Sequence, residues 1–272
     1  MVWKKITIKR LKKQGFSLVL SGGAAYGISH IGVLKFLEEN NLQPEEIIGT
    51  SMGAVVGAFY AIGKSPEEME RLLKKIEKMD LFKLKYNNSK LEYFKLHVFL
   101  KDIFKKRKMK DTKIDLKIMT TEMKTGQGKL FTKEDNVLIY DVVLASSSIP
   151  SIFSFKKIKN KYYMDGGIAS NLPVEYVKKG NIKIASNVIN NTRHVKYKKE
   201  KGLFSQIKSK FSTLSNTLYY LIENQTNAKI PYIKNLVLIE PNLQGQKRYK
   251  LENYKKLIKK GYDEAKKVIK QN

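Results

Sequence analysis

The stretch Ile47-Ile48-Gly49-Thr50-Ser51-Met52-Gly53 most narrows what this chain folds into. Two β-branched residues lead into Gly-x-Ser-x-Gly, and the small-residue apolar run Ala54-Val55-Val56-Gly57-Ala58-Phe59-Tyr60-Ala61 follows. That order predicts a strand, a sharp turn and a buried helix. Such a turn, a nucleophile elbow, presents a serine Oγ at the top of a sheet from a strained backbone. Gly49 and Gly53 flank the serine because side chains there would meet the adjoining strand and helix. The helix N-terminus adds free N–H groups and a positive dipole end to an anion forming at the serine. Gly-x-Ser-x-Gly alone also fits a loop with chance glycines, so its neighbours decide.

Upstream, Phe16–Leu20 reads as a short buried strand, and Ser21-Gly22-Gly23-Ala24-Ala25-Tyr26-Gly27 as a glycine-rich loop. Ile28, Ile31, Leu34 and Leu37 then recur at near-helical spacing to about Asn40. Strand, glycine loop and helix let backbone N–H groups converge on a phosphate or an oxyanion. A dinucleotide fold wants Gly-x-Gly-x-x-Gly, and Ala24 occupies its second glycine position. Gly57 to Gly63-Lys64-Ser65 misses a nucleotide-phosphate loop by one intervening residue and lies inside a helical pattern. A nucleotide-binding protein is therefore disfavoured.

Further along, Ser65-Pro66-Glu67-Glu68 has the residues of a helix start. Strands are expected over residues 114–121, 162–164, 182–186 and 236–239, with a further one near 129–131. Helices are expected over residues 141–150, 207–222 and 251–270, and residues 193–201 as a loop. Strands and helices alternate, so the class is α/β with a mainly parallel sheet. No repeat or linker divides the chain: residues 1–15 form a basic N-terminal segment and residues 16–272 a single domain.

Residues 83–110 stand apart, with ten basic residues against Glu92 and Asp102. Leu91, Phe94, Val98, Phe99, Ile103 and Phe104 interleave with them. This is a basic amphipathic insertion, read either as an ordinary helix over the core or as a basic, aromatic lid or membrane-contact element. The chain carries a net charge of +28, nearly all from lysine. That excess implies attraction to anionic membrane surfaces or nucleic acid, or simply lysine filling solvated faces. Lysine in place of arginine argues against base reading, so no nucleic-acid partner is expected. With no cysteine and only His30, His97 and His194, thiolate chemistry is excluded and a multi-histidine metal site is disfavoured. No signal peptide and no run of about 20 apolar residues is seen. The expectation is a cytoplasmic protein, in peripheral contact with membrane if the basic face serves that end.

Three motifs now stand in order: the glycine loop, the serine elbow and Asp165-Gly166-Gly167. Residues 21–34, Gly49-Thr50-Ser51-Met52-Gly53, Ala145-Ser146-Ser147-Ser148-Ile149-Pro150 and Asp165-Gly166-Gly167 through Asn171-Leu172-Pro173 together resemble the patatin-like phospholipases. The resemblance covers roughly residues 16–186. It implies a three-layer α/β/α fold and a Ser–Asp dyad that hydrolyses fatty-acyl esters of lipids or phospholipids, with no cofactor. It makes Ser51 the nucleophile, Asp165 the base and Gly22, Gly23 and Ala24 the oxyanion loop, supported by Gly27, Gly49, Gly53, Gly166 and Gly167. Two positions depart from the family pattern: Ala24 stands where glycine is usual, and Tyr26 where arginine or lysine is usual. Alanine keeps the N–H of position 24, provided the backbone there does not need φ > 0.

The chemistry stands without the name. A serine hydroxyl needs a base to take its proton, and a partly buried carboxylate has raised proton affinity. Alone, Asp165 reads equally as a turn aspartate before glycines. His30 reads as a packed helix residue, and His97 has no motif near it. His194 completes the chain order Ser…Asp…His of hydrolase triads but sits in a basic loop pattern. The alternative function is a catalytically weak membrane- or lipid-binding protein that keeps the fold.

Overall fold

A computed structural model describes residues 5–78, 85–87, 90–92, 94–150, 153–190, 203–246 and 253–271. In chain order these form β1 (Ile6–Thr7), α1 (Ile8–Gln14), β2 (Phe16–Leu20), α2 (Ser29–Glu39), β3 (Glu46–Thr50), α3 (Met52–Ala61) and α4 (Pro66–Lys78). Next come β4 (Lys85–Asn87), β5 (Lys90–Glu92), α5 (Phe94–Phe104), β6 (Asp115–Glu122), β7 (Gly128–Phe131), α6 (Ile139–Ser146), β8 (Lys156–Ile158) and β9 (Lys161–Asp165). The rest are α7 (Gly167–Ser170), β10 (Ile182–Ser186), α8 (Leu203–Lys229), β11 (Leu236–Ile239), α9 (Tyr254–Val268) and β12 (Ile269–Lys270).

The main sheet runs β11-β10-β2-β3-β6-β9-β8, with β7 also paired to β6. Its first five strands are parallel, and β7, β8 and β9 join antiparallel. The period-2 alternation of side chains divides the core into two layers. Leu18, Leu20, Ile47, Ile184, Val237 and Ile239 point into one cluster, with residues of α2, α3, α6 and α9. Val19, Ile48, Ala185, Leu236 and Leu238 point into the other, with Leu172, Val174 and Ile230. The architecture is therefore α/β/α, as the motifs implied.

Helices α2 and α9 cross closely because glycines meet there. A Cβ on Gly32 would sit 1.9 Å from Ile258 O, and one on Gly261 would sit 1.9 Å from Ser29 O. The basic N-terminal segment contributes to the core, since Ile6 and Leu11 are buried and β1 pairs in parallel with β12.

Within the basic insertion, β4 and β5 form a short hairpin ahead of α5. Phe104 is fully buried against Phe59, with ring centroids 5.2 Å apart. Phe99 and Ile103 pack on the same core cluster. These two phenylalanines therefore face inward: removing such rings from water is favourable by about 1.5–3 kcal/mol each, and α3 supplies the surface.

The register places the site. Met119 of β6 pairs with Thr50 of β3 and with Leu130 of β7, so β3 and β7 lie on opposite edges of β6. The next residue, Thr120, pairs with Lys129 of β7 and with Asp165 of β9. So β9 lies on the β3 edge, running the other way, and the two strands end head to head. Thr50, just before Ser51, and Asp165 oppose consecutive residues of β6.

Candidate active site

Ser51 stands between β3 and α3 with φ 52° and ψ −121°. A non-glycine residue in that region stores on the order of 1–3 kcal/mol of strain. The tightness of the packing explains the flanking glycines. A Cβ on Gly49 would meet Gly53 O at 2.6 Å, and one on Gly53 would meet Leu20 O at 2.3 Å. The Ser51 carbonyl accepts from Ala54 N–H at 2.9 Å and Val55 N–H at 3.1 Å, so α3 starts at the serine. The N–H groups ahead of Ala54 in the first turn of α3 lack intrahelical acceptors, and the positive dipole end lies beside the serine.

Asp165, 7% exposed, is held on three sides. Its N–H donates to Ser148 O at 2.9 Å, its carbonyl accepts from Thr121 Oγ1 at 2.8 Å, and its Oδ1 accepts from Gly167 N–H at 2.8 Å. Burial pushes its carboxyl up to about 6 from an ordinary 3.8, while hydrogen bonding from Gly167 N–H and the Ser51 side chain pulls the other way. A Cβ on Gly166 would meet Met119 O at 2.2 Å, which ties the turn after Asp165 against β6.

Ser51, Asp165, Gly22 and Gly23 line one pocket with Asn171, and its remaining walls are largely apolar: Ile149, Ile168, Leu218 and Ile222 among them. Within the glycine loop, Gly22 N–H donates to Asn171 O at 3.3 Å. Gly22's lack of a side chain matters here, because a Cβ there would lie 2.6 Å from Asn171 Oδ1 and 3.0 Å from Ser51 Cβ. Among the described residues, the N–H groups of Gly23 and Ala24 have no intramolecular acceptor. Ala24 is not one of the pocket-lining residues, and its φ is 49°. The condition of negative φ at position 24 is thus not met, and the alanine carries strain a glycine would avoid. Gly27 allows the loop to press on the elbow, since a Cβ there would meet Met52 Cβ at 2.7 Å. Tyr26, in place of a basic residue, donates its hydroxyl to Gln246 O at 2.9 Å.

His30 is fully buried beneath the loop. Its Nε2 lies 2.9 Å from Ser21 O and its Nδ1 2.9 Å from Ser186 Oγ. A carbonyl only accepts, so Nε2 carries the proton and Nδ1 accepts from Ser186. Burial pulls its pKa down to about 4, which keeps it neutral. It ties the loop to β10 and does not line the pocket. His194 lies outside the described residues.

Two residues carry geometry that the motif reading left without a role. Ser146 Oγ accepts from Ser51 N–H at 2.8 Å and donates to Met119 O at 2.7 Å, joining the elbow to the centre of the sheet. Asn171 spans the glycine loop and the Asp165 turn. Both sit in segments that carry the family resemblance, yet neither residue is near Ser51 in sequence.

An α/β/α sandwich with a serine elbow at the carboxyl ends of parallel strands places its ligand site where open α/β sheets do. The chain belongs to the patatin-like phospholipase family, whose model matches residues 18–178. It is 29% identical over 177 residues to a protein named lysophospholipase nte1 from Aspergillus fumigatus, covering 62% of this chain and 11% of that one. Triacylglycerol lipase 5 of Saccharomyces cerevisiae is 28% identical over 204 residues, covering 58% of this chain and 27% of the lipase. A probable lipid hydrolase, 463L, of Invertebrate iridescent virus 6 is 26% identical over 277 residues, covering 94% of this chain and 89% of the viral one. The chain thus spans about a tenth of the fungal lysophospholipase's length. The crystal structure of VipD from Legionella pneumophila shares the fold, with TM-score 0.58 and 15% identity over 94% of this chain and 66% of VipD.

Proposed function

We propose that this protein hydrolyses fatty-acyl esters of lipids, with Ser51 as nucleophile and Asp165 as its base. One observation carries the reading: β3 and β9 end head to head on one edge of β6 and deliver the strained Ser51 and the buried Asp165 to one largely apolar pocket. The raised proton affinity of Asp165 suits it to take the Ser51 Oγ proton as Oγ attacks the acyl carbon. Oxygen charge then develops near the unpartnered Gly23 N–H and the start of α3. Collapse expels the alcohol, which takes the proton back from Asp165, and leaves an acyl-enzyme. Water, deprotonated by the same carboxylate, attacks the acyl carbon, and the Ser51 Oγ–acyl bond breaks as Oγ takes that proton back and the fatty acid is released. The names of the relatives support a lipid substrate, and the aliphatic pocket walls suit an acyl chain.

The test is hydrolysis of a soluble short-chain ester by wild type, Ser51→Ala, Asp165→Asn and the double variant. Each single change should lower turnover by about 10³-fold or more. The double should resemble either single, because the pair acts as a unit. Substantial turnover in Asp165→Asn would remove the aspartate from this role. An inactive wild type that still binds lipid would favour the binding-protein reading.

A further inference from the structure

Asn171 is 2% exposed, and no hydrogen bond holds either end of its side-chain amide among the described residues. Its Nδ2 is buried without a partner. Leaving a buried amide unpaired is unfavourable, so such a group calls for a use. Its position supplies one, because the amide lines the same pocket as Ser51 and Asp165. The point where a Gly22 side chain would begin is 2.6 Å from Asn171 Oδ1 and 3.0 Å from Ser51 Cβ. The corresponding point at Gly167 is 3.1 Å from Asn171 Oδ1 and 3.0 Å from Asp165 Oδ1. A side chain at either glycine would collide with this amide, so the two glycines let it approach both residues closely. The backbone of Asn171 is separately fixed, since its carbonyl accepts from Gly22 N–H at 3.3 Å.

We propose that the Asn171 side-chain amide is a catalytic hydrogen-bond donor to the carbonyl oxygen of the bound acyl ester. The inference rests on the Ser51–Asp165 reading and deepens it. As Ser51 Oγ bonds to the acyl carbon, the carbonyl π electrons move onto oxygen, and the amide NH2 stabilises that charge beside Gly23 N–H. With neither end tied to protein, the amide turns about Cβ–Cγ at little cost to aim its NH2 at the oxygen. The donor also offsets what this loop lacks, because Gly22 N–H is already engaged and Ala24 does not line the pocket.

The test separates this role from a structural one, because an unpaired amide gives the fold nothing that an apolar isostere does not. Asn171→Leu and Asn171→Ala are compared with wild type for kcat, KM and thermal midpoint on the full chain, using a soluble short-chain p-nitrophenyl ester. The expected result is a fall in kcat of about 10²–10³-fold in both variants, with KM within threefold. The Asn171→Leu midpoint should lie at or above that of wild type. Turnover within threefold of wild type in either variant would overturn the proposal. So would a lower midpoint in both variants, which would make the amide structural. Ser51→Ala run beside them keeps the two readings distinct. If Ser51→Ala is inactive and Asn171→Leu is not, only the Asn171 role fails. If Ser51→Ala retains turnover, the nucleophile assignment fails and this role with it.

Discussion

The buried carboxyl of Asp165 carries a stability cost that can be measured. Its carboxyl is raised to about 6, chiefly by burial, so the folded state binds this proton more tightly than the unfolded chain does. The sign of the linkage follows: the contribution to stability is greatest below the unfolded value near 4 and is lost as pH rises through about 6. At pH 8 the ionised, buried carboxylate costs on the order of 3 kcal/mol by this measure. Asp165→Asn removes that penalty while keeping size and shape. Its thermal midpoint at pH 8 should exceed the wild-type value by several degrees, and the gap should close by about pH 4. A midpoint below wild type at pH 8 would mean the carboxylate is a net anchor.

At the scale of elements, the elbow is held from outside its own motif. Ser146 Oγ is the acceptor for Ser51 N–H and the donor to Met119 O, so it fixes where α3 begins relative to β6. Ser146→Ala leaves both buried groups unpaired, at about 1–3 kcal/mol each, and frees Ser51 to shift. A displacement of about 1 Å costs on the order of 10²-fold in rate. Ser148→Ala is the control, since its Oγ donates to Leu144 O in the helix just before it, and should cost little of either. Comparable losses in both variants would show that Ser146 has no special hold on the elbow. The elbow itself was legible because strand, turn and helix are encoded in consecutive residues, and Asp165-Gly166-Gly167 because a strand runs straight into it. What Ser146 and Asn171 do was not legible, because a hydrogen bond across 95 residues leaves no local pattern. The antiparallel entry of β9, which sets Asp165 beside Ser51, is likewise a property of the sheet. Phe104 was misleading for the same reason: its basic neighbours in sequence suggest an exposed face, and only the packing of α5 on α3 reveals a core ring.

For the whole molecule, the proposed lipid substrate raises the question of which end would face a lipid surface. Among the described residues no helix is long and apolar enough to cross a membrane. The exposed Lys105, Lys106 and Arg107 follow Phe104, which packs on Phe59 near the far end of α3 from Ser51. A ten-residue helix separates the two ends by about 15 Å. Val98 of α5 is an exposed apolar group on the insertion, and others lie at the pocket end. Leu221 is 60% exposed beside the pocket-lining Leu218 and Ile222, and Met123, just after β6, donates its N–H to Tyr162 O near the start of β9, the strand that ends at Asp165. Replacing Leu221, Met123 and Tyr162 by serine should lower hydrolysis in phosphatidylglycerol vesicles about tenfold or more, since each apolar group contributes about 1 kcal/mol or more on burial. Turnover of a soluble ester should hold. Neutralising Lys105, Lys106, Arg107 and Lys108 should change vesicle hydrolysis less than the serine set does. The opposite ranking would place the lipid-facing surface on the basic insertion.

Activation of a serine by a buried aspartate is measured with a fluorophosphonate probe read out by peptide mass spectrometry across pH 4–9. A single adduct is expected on the peptide carrying Ser51, absent in Ser51→Ala. Its rate should rise through about pH 6 as Asp165 ionises and fall by orders of magnitude at every pH in Asp165→Asn. Labelling of Ser51 at an undiminished rate in Asp165→Asn, or no labelling of the folded wild type at any pH, would contradict it.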